Sequence, residues 1–130
     1  MLKDSQATFS SFSTDNLAKA KEFYVDTLGF KLNDESMGLN LELPGGAGLF
    51  IYEKDDHQPA TFTVLNFLVD DIEKKVDELR GKGIKFEEIS FSDEAKTDEK
   101  GIMRGKAANQ GPDIAWFKDP AGNFIAIMEQ

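Results

Sequence analysis

The sequence predicts an α+β fold made of two repeated modules, each a strand, a helix and then three strands. Apolar residues recur at helical spacing in two segments that lie about half a chain apart. Short runs of strand-forming residues, separated by turn residues, flank each helical segment. The two halves also match each other in sequence, since PGGAGLFIYE from Pro44 can be laid over PAGNFIAIME from Pro120.

The first module is predicted to span residues 1–55. Strand-forming residues open it at positions 7–14, and a helix with an apolar stripe follows. We expect this helix to have its N-cap at Thr14 and to end at Gly29. Three short strands complete the module, beginning at Phe30, Leu39 and Gly48.

The second module is predicted to span residues 60–130, after a charged linker at residues 54–60. It opens with a strand, and Asp70 with Glu73 forms a capping-box pattern that predicts the start of its helix. The elements predicted after this helix are a strand over residues 84–90, a long segment over residues 90–111 in which the fourth element of the module is faint, and two closing strands joined by a turn at residues 119–122.

Composition excludes several classes of function. A net charge of -9 over 130 residues opposes binding to the phosphates of nucleic acid, and no basic amphipathic helix predicts attachment to a membrane surface. The chain has no cysteine, which excludes disulfides, thiolate metal sites and cysteine nucleophiles. Because neither a signal peptide nor a long apolar run is evident, a cytoplasmic location is the expectation.

Three segments resemble the vicinal oxygen chelate superfamily, which includes glyoxalase I, extradiol dioxygenases, fosfomycin-resistance enzymes and bleomycin-binding resistance proteins. NLAKAKEFYVDTLGF resembles the first helix of that family, FLVDDIEKKVDELRGKGIKF its second helix, and WFKDPAGNFIAIME its closing hairpin. The resemblance implies mixed sheets that curl around a cup, with the helices on the outer face. It also implies a homodimer, because a second chain commonly completes the cup; whether the modules pair within one chain or between two is left open.

The resemblance also implies where the enzymatic members hold a divalent metal. Their ligands lie on the first and last strands of each module, and the matching positions here are Phe9, Phe50, Val64 and Ala126. None of these side chains has a lone pair to give to a metal. We therefore expect no metal, no cofactor and no catalytic residue at these positions. A metal-dependent lyase or dioxygenase is the alternative if the strand registers differ.

Strand alternation from those positions predicts which other side chains face the cup. An apolar, aromatic lining with isolated hydrogen-bonding groups is typical of a small-molecule pocket, whereas a dry core or a module interface is the alternative. Asn66 favours the pocket, because burying an amide is costly unless it finds partners. The predicted lining comprises Phe9, Ser11, Phe50, Tyr52, Val64, Asn66, Phe124, Ala126 and Met128.

Three polar or aromatic residues have two interpretations each. Arg104 is either a bidentate clamp for a carboxylate or phosphate or an exposed loop arginine, and residues 90–111 around it are either a lid or disordered. Trp116 either stacks on a ligand or packs under that segment. His57, the only histidine, is interpreted as a surface residue of the linker rather than a catalytic or pH-sensing group.

Together these observations favour metal-independent binding of a small apolar or aromatic molecule, without turnover. The acidic net charge is compatible with a cationic ligand. The alternatives are a glyoxalase-like lyase or dioxygenase, and a structural or interaction module whose cup is filled by side chains.

Overall fold

The computed structural model describes all 130 residues, Met1–Gln130. The chain divides into two compact units, Met1–Pro59 and Ala60–Gln130. Each unit contains a strand, a helix and three further strands, and its strands form one mixed four-stranded sheet. The predicted α+β class with repeated βαβββ modules is confirmed. Neither helix has the length and apolar composition that a bilayer-spanning segment requires.

Unit 1 consists of β1 Phe9–Thr14, α1 Leu17–Lys21, β2 Lys31–Asp34, β3 Leu39–Glu42 and β4 Gly48–Glu53. Its sheet has the order β1-β4-β3-β2, with β1 parallel to β4 and the other pairs antiparallel. Beyond α1 the chain continues as a π-helical segment, Glu22–Thr27. Gly29 follows with φ +81°, a left-handed conformation that costs little only for glycine, and the helical segment ends there as predicted.

Alternate side chains of this sheet form the core of unit 1 beneath the helix. Phe12 and Ile51 are registered partners on β1 and β4, and the Phe12 ring lies 6.1 Å from that of Tyr24 in the helical segment. Tyr24 and Ile51 are fully buried. The intervening residues of β1 and β4 therefore belong to the opposite side of the sheet, which we call the helix-free face.

Unit 2 consists of β5 Thr63–Leu68, α2 Ile72–Gly81, β6 Ile102–Arg104, β7 Asp113–Lys118 and β8 Phe124–Glu129. Its sheet has the order β5-β8-β7-β6, the same topology as in unit 1. The apolar stripe predicted for the second helix is buried, at Ile72, Val76 and Leu79.

The strand predicted over residues 84–90 is wrong, because β6 takes its place. β6 lies inside the long segment and pairs with residues 113–115 of β7. Residues 84–90 pair with the same edge of β7 only at its far end. There Phe86 bridges Phe117, and the Glu87 N–H donates to the Trp116 carbonyl at 2.8 Å. Two segments thus share one edge of β7.

Both helices begin at residues other than those predicted. The N-cap of α1 is Asn16 rather than Thr14, and its side-chain oxygen accepts a hydrogen bond from the Lys19 N–H at 3.0 Å. The N-cap of α2 is Asp71 rather than Asp70, with the Lys74 N–H donating at 3.1 Å. A capping oxygen must reach an N–H two or three residues further on, and in both units the chain turns one or two residues later than the motif suggested.

Candidate functional site

The helix-free face of unit 1 is aromatic at its centre. Phe50 and Tyr52 of β4 stack with ring centroids 6.0 Å apart and an interplanar angle of 20°. Ser11 of β1 is the registered partner of Phe50 and is exposed, while both aromatic side chains are half-buried. Phe9 stands at the start of β1, beside Gly48, with 65% of its surface exposed. The four residues predicted for this face are thus brought together on two adjacent parallel strands.

A glycine allows the Phe50 ring to lie close to the backbone. Gly38 has φ +150°, and a Cβ built there would meet the Phe50 ring at 2.9 Å and the Ile51 carbonyl oxygen at 2.6 Å. Any other residue would push the ring away or strain the chain. The absence of a side chain at Gly38 therefore allows the Phe50 ring to take its position on this face.

A polar pair borders the aromatic residues. Ser13 is the registered partner of Tyr52, and its Oγ lies 2.6 Å from Nδ1 of His57. His57 is half-buried and contacts the sheet through Ser13, a contact that the interpretation as a surface histidine did not include. Sequence reasoning missed the pair because the two residues lie 44 positions apart and no local pattern links them.

In unit 2, Glu129 of β8 accepts a hydrogen bond from the first N–H of α2, so the side of the sheet opposite Glu129 is the helix-free face, and it centres on Trp116. Its registered neighbour on β8 is Ala126, whose own partner on β5 is Asn66. Trp116 is 8% exposed and Ala126 is fully buried. Asn66 is exposed, so the argument that its amide needs buried partners does not apply. The two flanking residues of β8, Phe124 and Met128, are half-buried and lie on the same face.

The indole of Trp116 is held by a hydrogen bond from its Nε1–H to the Thr63 Oγ1, at 3.2 Å. Thr63 pairs with Phe124, and a bulge between Thr63 and Leu65 leaves Val64 without a registered partner. The alternation that placed Val64 with Asn66 is broken at this point. Thr63, which the sequence did not single out, is the residue of β5 that contacts Trp116.

Arg104 does not line the helix-free face, which corrects its prediction as a ligand clamp. Its partner on β7 is Asp113, whose own partner on β8 is Glu129, and Glu129 accepts a hydrogen bond from the first N–H of α2. The guanidinium donates from Nε to Asp98 at 2.9 Å and from Nη2 to Glu73 of α2 at 3.0 Å. Arg104 therefore ties β6 and the preceding segment to the helix side of the sheet.

Asp98 is the acceptor at the centre of this arrangement. Its carboxylate also receives the N–H groups of Lys100 and Ile102, each at 2.9 Å. Burial acts to raise the pKa of Asp98, but the hydrogen bonds from the Ile102 N–H and from Arg104 outweigh it and lower the pKa below its ordinary value. The ion pair holds the pKa of Arg104 above its usual range.

The residues at the family's ligand positions do not fit a metal. The side chains at these positions, Phe9 and Phe50 in unit 1 and Ala126 in unit 2, are hydrocarbon, and Val64 is hydrocarbon too. Their registered neighbours offer only the Ser11 hydroxyl and the amides of Asn40 and Asn66, which are weak donors for divalent ions in the absence of carboxylate or imidazole. No cluster of three or more His, Asp or Glu side chains is arranged to hold a metal ion.

A cavity of about 350 Å³ lies elsewhere, in the long segment. None of its lining residues belongs to a strand, and most are polar or charged; they are Glu88, Ile89, Ser90, Lys96, Thr97 and Asp98. The lining of this cavity is mostly polar, whereas the helix-free faces are aromatic. The helix-free faces are therefore the better candidates for an apolar ligand.

The sequence was also compared with known protein families. The family described as the Glyoxalase/Bleomycin resistance protein/Dioxygenase superfamily matches residues 8–127. The chain belongs to this superfamily. Comparison with curated proteins gave no match.

Solved structures of the superfamily share the fold. A glyoxalase family protein from Enterococcus faecalis is 25% identical with a TM-score of 0.65, and 98% of each chain is covered. An antibiotic binding protein from Streptomyces sp. CB03234 is 22% identical with a TM-score of 0.61, and 95% of each chain is covered. A fosfomycin resistance protein from Listeria monocytogenes is 13% identical with a TM-score of 0.65, covering 97% of this chain and 93% of that one.

Proposed function

We propose that this superfamily member binds a small aromatic molecule on its helix-free faces, without a metal, and retains it without chemical conversion. The observation that carries the proposal is the stacked Phe50–Tyr52 pair, half-buried on the helix-free face with the exposed Phe9 at its edge. Apolar, aromatic surfaces with few polar groups are the usual lining of small-molecule sites. A structural neighbour described as an antibiotic binding protein supports this class of function.

The polar groups on these faces suit a ligand that combines a ring with a hydrogen-bonding substituent. Ser11 is exposed beside Phe50, and the Ser13–His57 pair lies beside Tyr52. Hydroxyl and imidazole groups both donate and accept hydrogen bonds, so they fix the orientation of a bound molecule more than they add affinity.

The distribution of charge argues for an uncharged ligand rather than the cationic one that the net charge suggested. Strands β1 and β4 place no charged residue among the helix-free positions from Phe9 to Ser13 and from Gly48 to Tyr52, and the residues of β3 and β2 in register with Gly48 are Glu42 and Lys31, which carry opposite charges. On unit 2 the charged side chain of this face is Lys118, whose Nζ lies 5.1 Å from the centre of the Phe124 ring. A cation already occupies the aromatic ring that would attract another one.

Catalysis of the glyoxalase or dioxygenase type would need the metal that these residues do not fit. Metal-ligating donors are absent at all four matching positions, which are Phe9, Phe50, Val64 and Ala126. The proposal is therefore retention of a ligand, not turnover.

The test is a fluorescence titration with N-phenyl-1-naphthylamine, an uncharged aromatic dye. We expect saturable binding to the wild type that EDTA leaves unchanged. Phe50→Ala and Tyr52→Ala should each weaken binding by about two- to twelvefold, the range expected for one aromatic contact. Phe62→Ala is the matched control, because Phe62 is 68% exposed and lies outside the strands.

Two results would overturn the proposal. If the dye binds none of these proteins, the faces are filled by side chains and the domain is a structural or interaction module. If EDTA abolishes binding and Zn²⁺, Ni²⁺ or Mn²⁺ restores it, the protein is metal-dependent and the positions assigned here are incorrect.

A further inference from the structure

Residues 89–97 form a small hairpin within the long segment of unit 2. The Thr97 N–H donates to the Ile89 carbonyl at 2.9 Å, and the Ile89 N–H donates to the Thr97 Oγ1 at 3.1 Å. Nearer the tip, the Phe91 N–H donates to the Ala95 carbonyl at 2.8 Å. The hydrogen bonds described for the tip stay inside the hairpin, so it is a self-contained element joined to the sheet at its two ends.

Both ends of the hairpin are firmly attached. Before it, the Glu87 N–H donates to the Trp116 carbonyl, and the Phe86 ring packs edge-on against Phe117 with centroids 5.6 Å apart. After it, Asp98 is held by Arg104 and by the backbone N–H of Ile102. Fixed ends with a locally bonded tip are the geometry of a hinged flap.

The tip reaches the aromatic side chain at the centre of the helix-free face. The Phe91 ring meets Trp116 edge-on, with centroids 6.2 Å apart and an interplanar angle of 85°. Phe91 keeps 73% of its surface exposed, whereas Trp116 is 8% exposed. An exposed phenylalanine on a polar loop thus covers the edge of a buried tryptophan that the Thr63 hydroxyl holds in place.

We propose that the 89–97 hairpin is a flap, and that the aromatic ring of a ligand replaces Phe91 on Trp116 when the flap opens. This inference rests on the proposed function and adds that the hairpin controls access of the ligand to Trp116. One edge-to-face pair favours the closed flap by only about two- to twelvefold, so the open state is well populated at room temperature. The apparent affinity for a ligand is lowered by a comparable factor, since only the open fraction is competent to bind.

The polar composition of the tip supports this reading over simple packing. Residues 92–94 are Ser, Asp and Glu, all exposed, so opening the hairpin moves no buried side chain of these tip residues into water, and the apolar group that it uncovers is the edge of Trp116. Phe91 itself gains little burial in the closed position. Its contact with Trp116 is therefore weak enough to be exchanged for another ring.

The experiment uses the intrinsic fluorescence of Trp116, the only tryptophan of the chain. In the absence of dye, Phe91→Ala should increase acrylamide quenching of Trp116 and shift its emission to longer wavelength. Phe62→Ala, which removes another exposed phenylalanine of unit 2, should change neither. In titrations with N-phenyl-1-naphthylamine, Phe91→Ala should bind about two- to twelvefold more tightly than the wild type.

Asp98→Asn provides a second variant that leaves the aromatic residues in place. It keeps the shape of the side chain but removes the charge that Arg104 contacts, so it should increase the quenching of Trp116 without shortening the hairpin.

The outcomes separate the flap from the proposed function. Equal quenching in the wild type and Phe91→Ala would overturn the flap whatever the dye does. Weaker dye binding by Phe91→Ala would make Phe91 a ligand contact and would also overturn this control of access. If no protein binds the dye but quenching rises in Phe91→Ala, the proposed function fails while Phe91 remains established as the cover of Trp116.

Discussion

Glu53 and Glu129 occupy equivalent places in the two units, and each accepts a hydrogen bond from the first N–H of the helix in its unit. The Glu53 Oε1 receives the Leu17 N–H at 3.0 Å, and the Glu129 Oε1 receives the Ile72 N–H at 2.9 Å. Carboxylates at helix N-termini satisfy free N–H groups and favour the positive end of the helix dipole. Each glutamate therefore links the last strand of its unit to the start of the helix.

The first prediction concerns Glu129, which also pairs with Lys106. The Lys106 ammonium first, and the Ile72 N–H second, lower the pKa of Glu129. A lowered pKa in the folded state gives stability above the unfolded pKa that is lost as the pH falls through the folded value. Glu129→Gln should therefore unfold at lower urea than the wild type at pH 7, and the difference should disappear in acid. A difference that persists at pH 2 would show that the carboxylate charge is not responsible.

The second prediction concerns Arg104, which lies on the helix side of unit 2. Arg104→Met should lower the free energy of unfolding by about 1 kcal/mol, the upper value for partly exposed ion pairs. Lys75→Met, which removes an ion pair to Glu78 within one helix, is the control and should cost less than half as much. Affinity for N-phenyl-1-naphthylamine should not fall in either variant. A large loss of dye binding in Arg104→Met would restore Arg104 as a ligand clamp.

The repeat could be predicted because the two halves match each other in sequence. The strand faces could be predicted because side chains alternate between the two sides of a strand. The run from Leu49 to Tyr52 is apolar throughout, so its two faces were predicted by alternation from the position that the family resemblance marked at Phe50; in the structure Leu49 and Ile51 are buried, while Phe50 and Tyr52 are half-buried. The family resemblance then supplied the order of the elements, which the structure confirms.

Three features of the site could not be predicted, each because it depends on contacts between distant residues. The face of Arg104 depends on β6, a three-residue strand with no detectable period. Thr63 rather than Val64 contacts Trp116 because β5 contains one extra residue at a bulge. A prediction from strict strand alternation cannot locate such a bulge. The contact of Phe91 with Trp116 depends on the path of a long polar segment. The homodimer and the cytoplasmic location stay predictions.

The third prediction concerns Gly38, beneath the Phe50 ring. Gly38→Ala should destabilise the protein by about 1–3 kcal/mol, because the new methyl group meets both a ring and a backbone oxygen at a positive φ. Gly45→Ala is the control, since Gly45 also has a positive φ but no heavy atom lies within 4 Å of its Cβ position. Urea unfolding should place Gly38→Ala below Gly45→Ala, and only Gly38→Ala should weaken dye binding. Equal effects would mean that Phe50 does not depend on Gly38.

The fourth prediction is the homodimer. Phe9 and Leu68 are each 65% exposed, and the strands that carry them are edge strands of their sheets. Large apolar side chains on unpaired edges favour association with a second copy. Sedimentation equilibrium at micromolar concentration should give twice the mass of 14.5 kDa. Phe9→Ser and Leu68→Ser should shift the equilibrium toward monomer, and a wild type that sediments as a monomer would remove this prediction.

The last prediction concerns the hydrogen bond between Trp116 and Thr63. Thr63→Val keeps the shape of the side chain but leaves the buried indole N–H without its described acceptor, which should cost about 1–3 kcal/mol. Thr63→Ser keeps the hydroxyl and should cost less. The decisive comparison is in a Trp116→Phe background, where the ring has no N–H to satisfy and Thr63→Val should be close to neutral. Circular dichroism follows urea unfolding in all of these variants, since two of them lack the tryptophan. If Thr63→Val costs as much with phenylalanine at position 116 as with tryptophan, the hydrogen bond contributes nothing measurable, and the indole is positioned by packing alone.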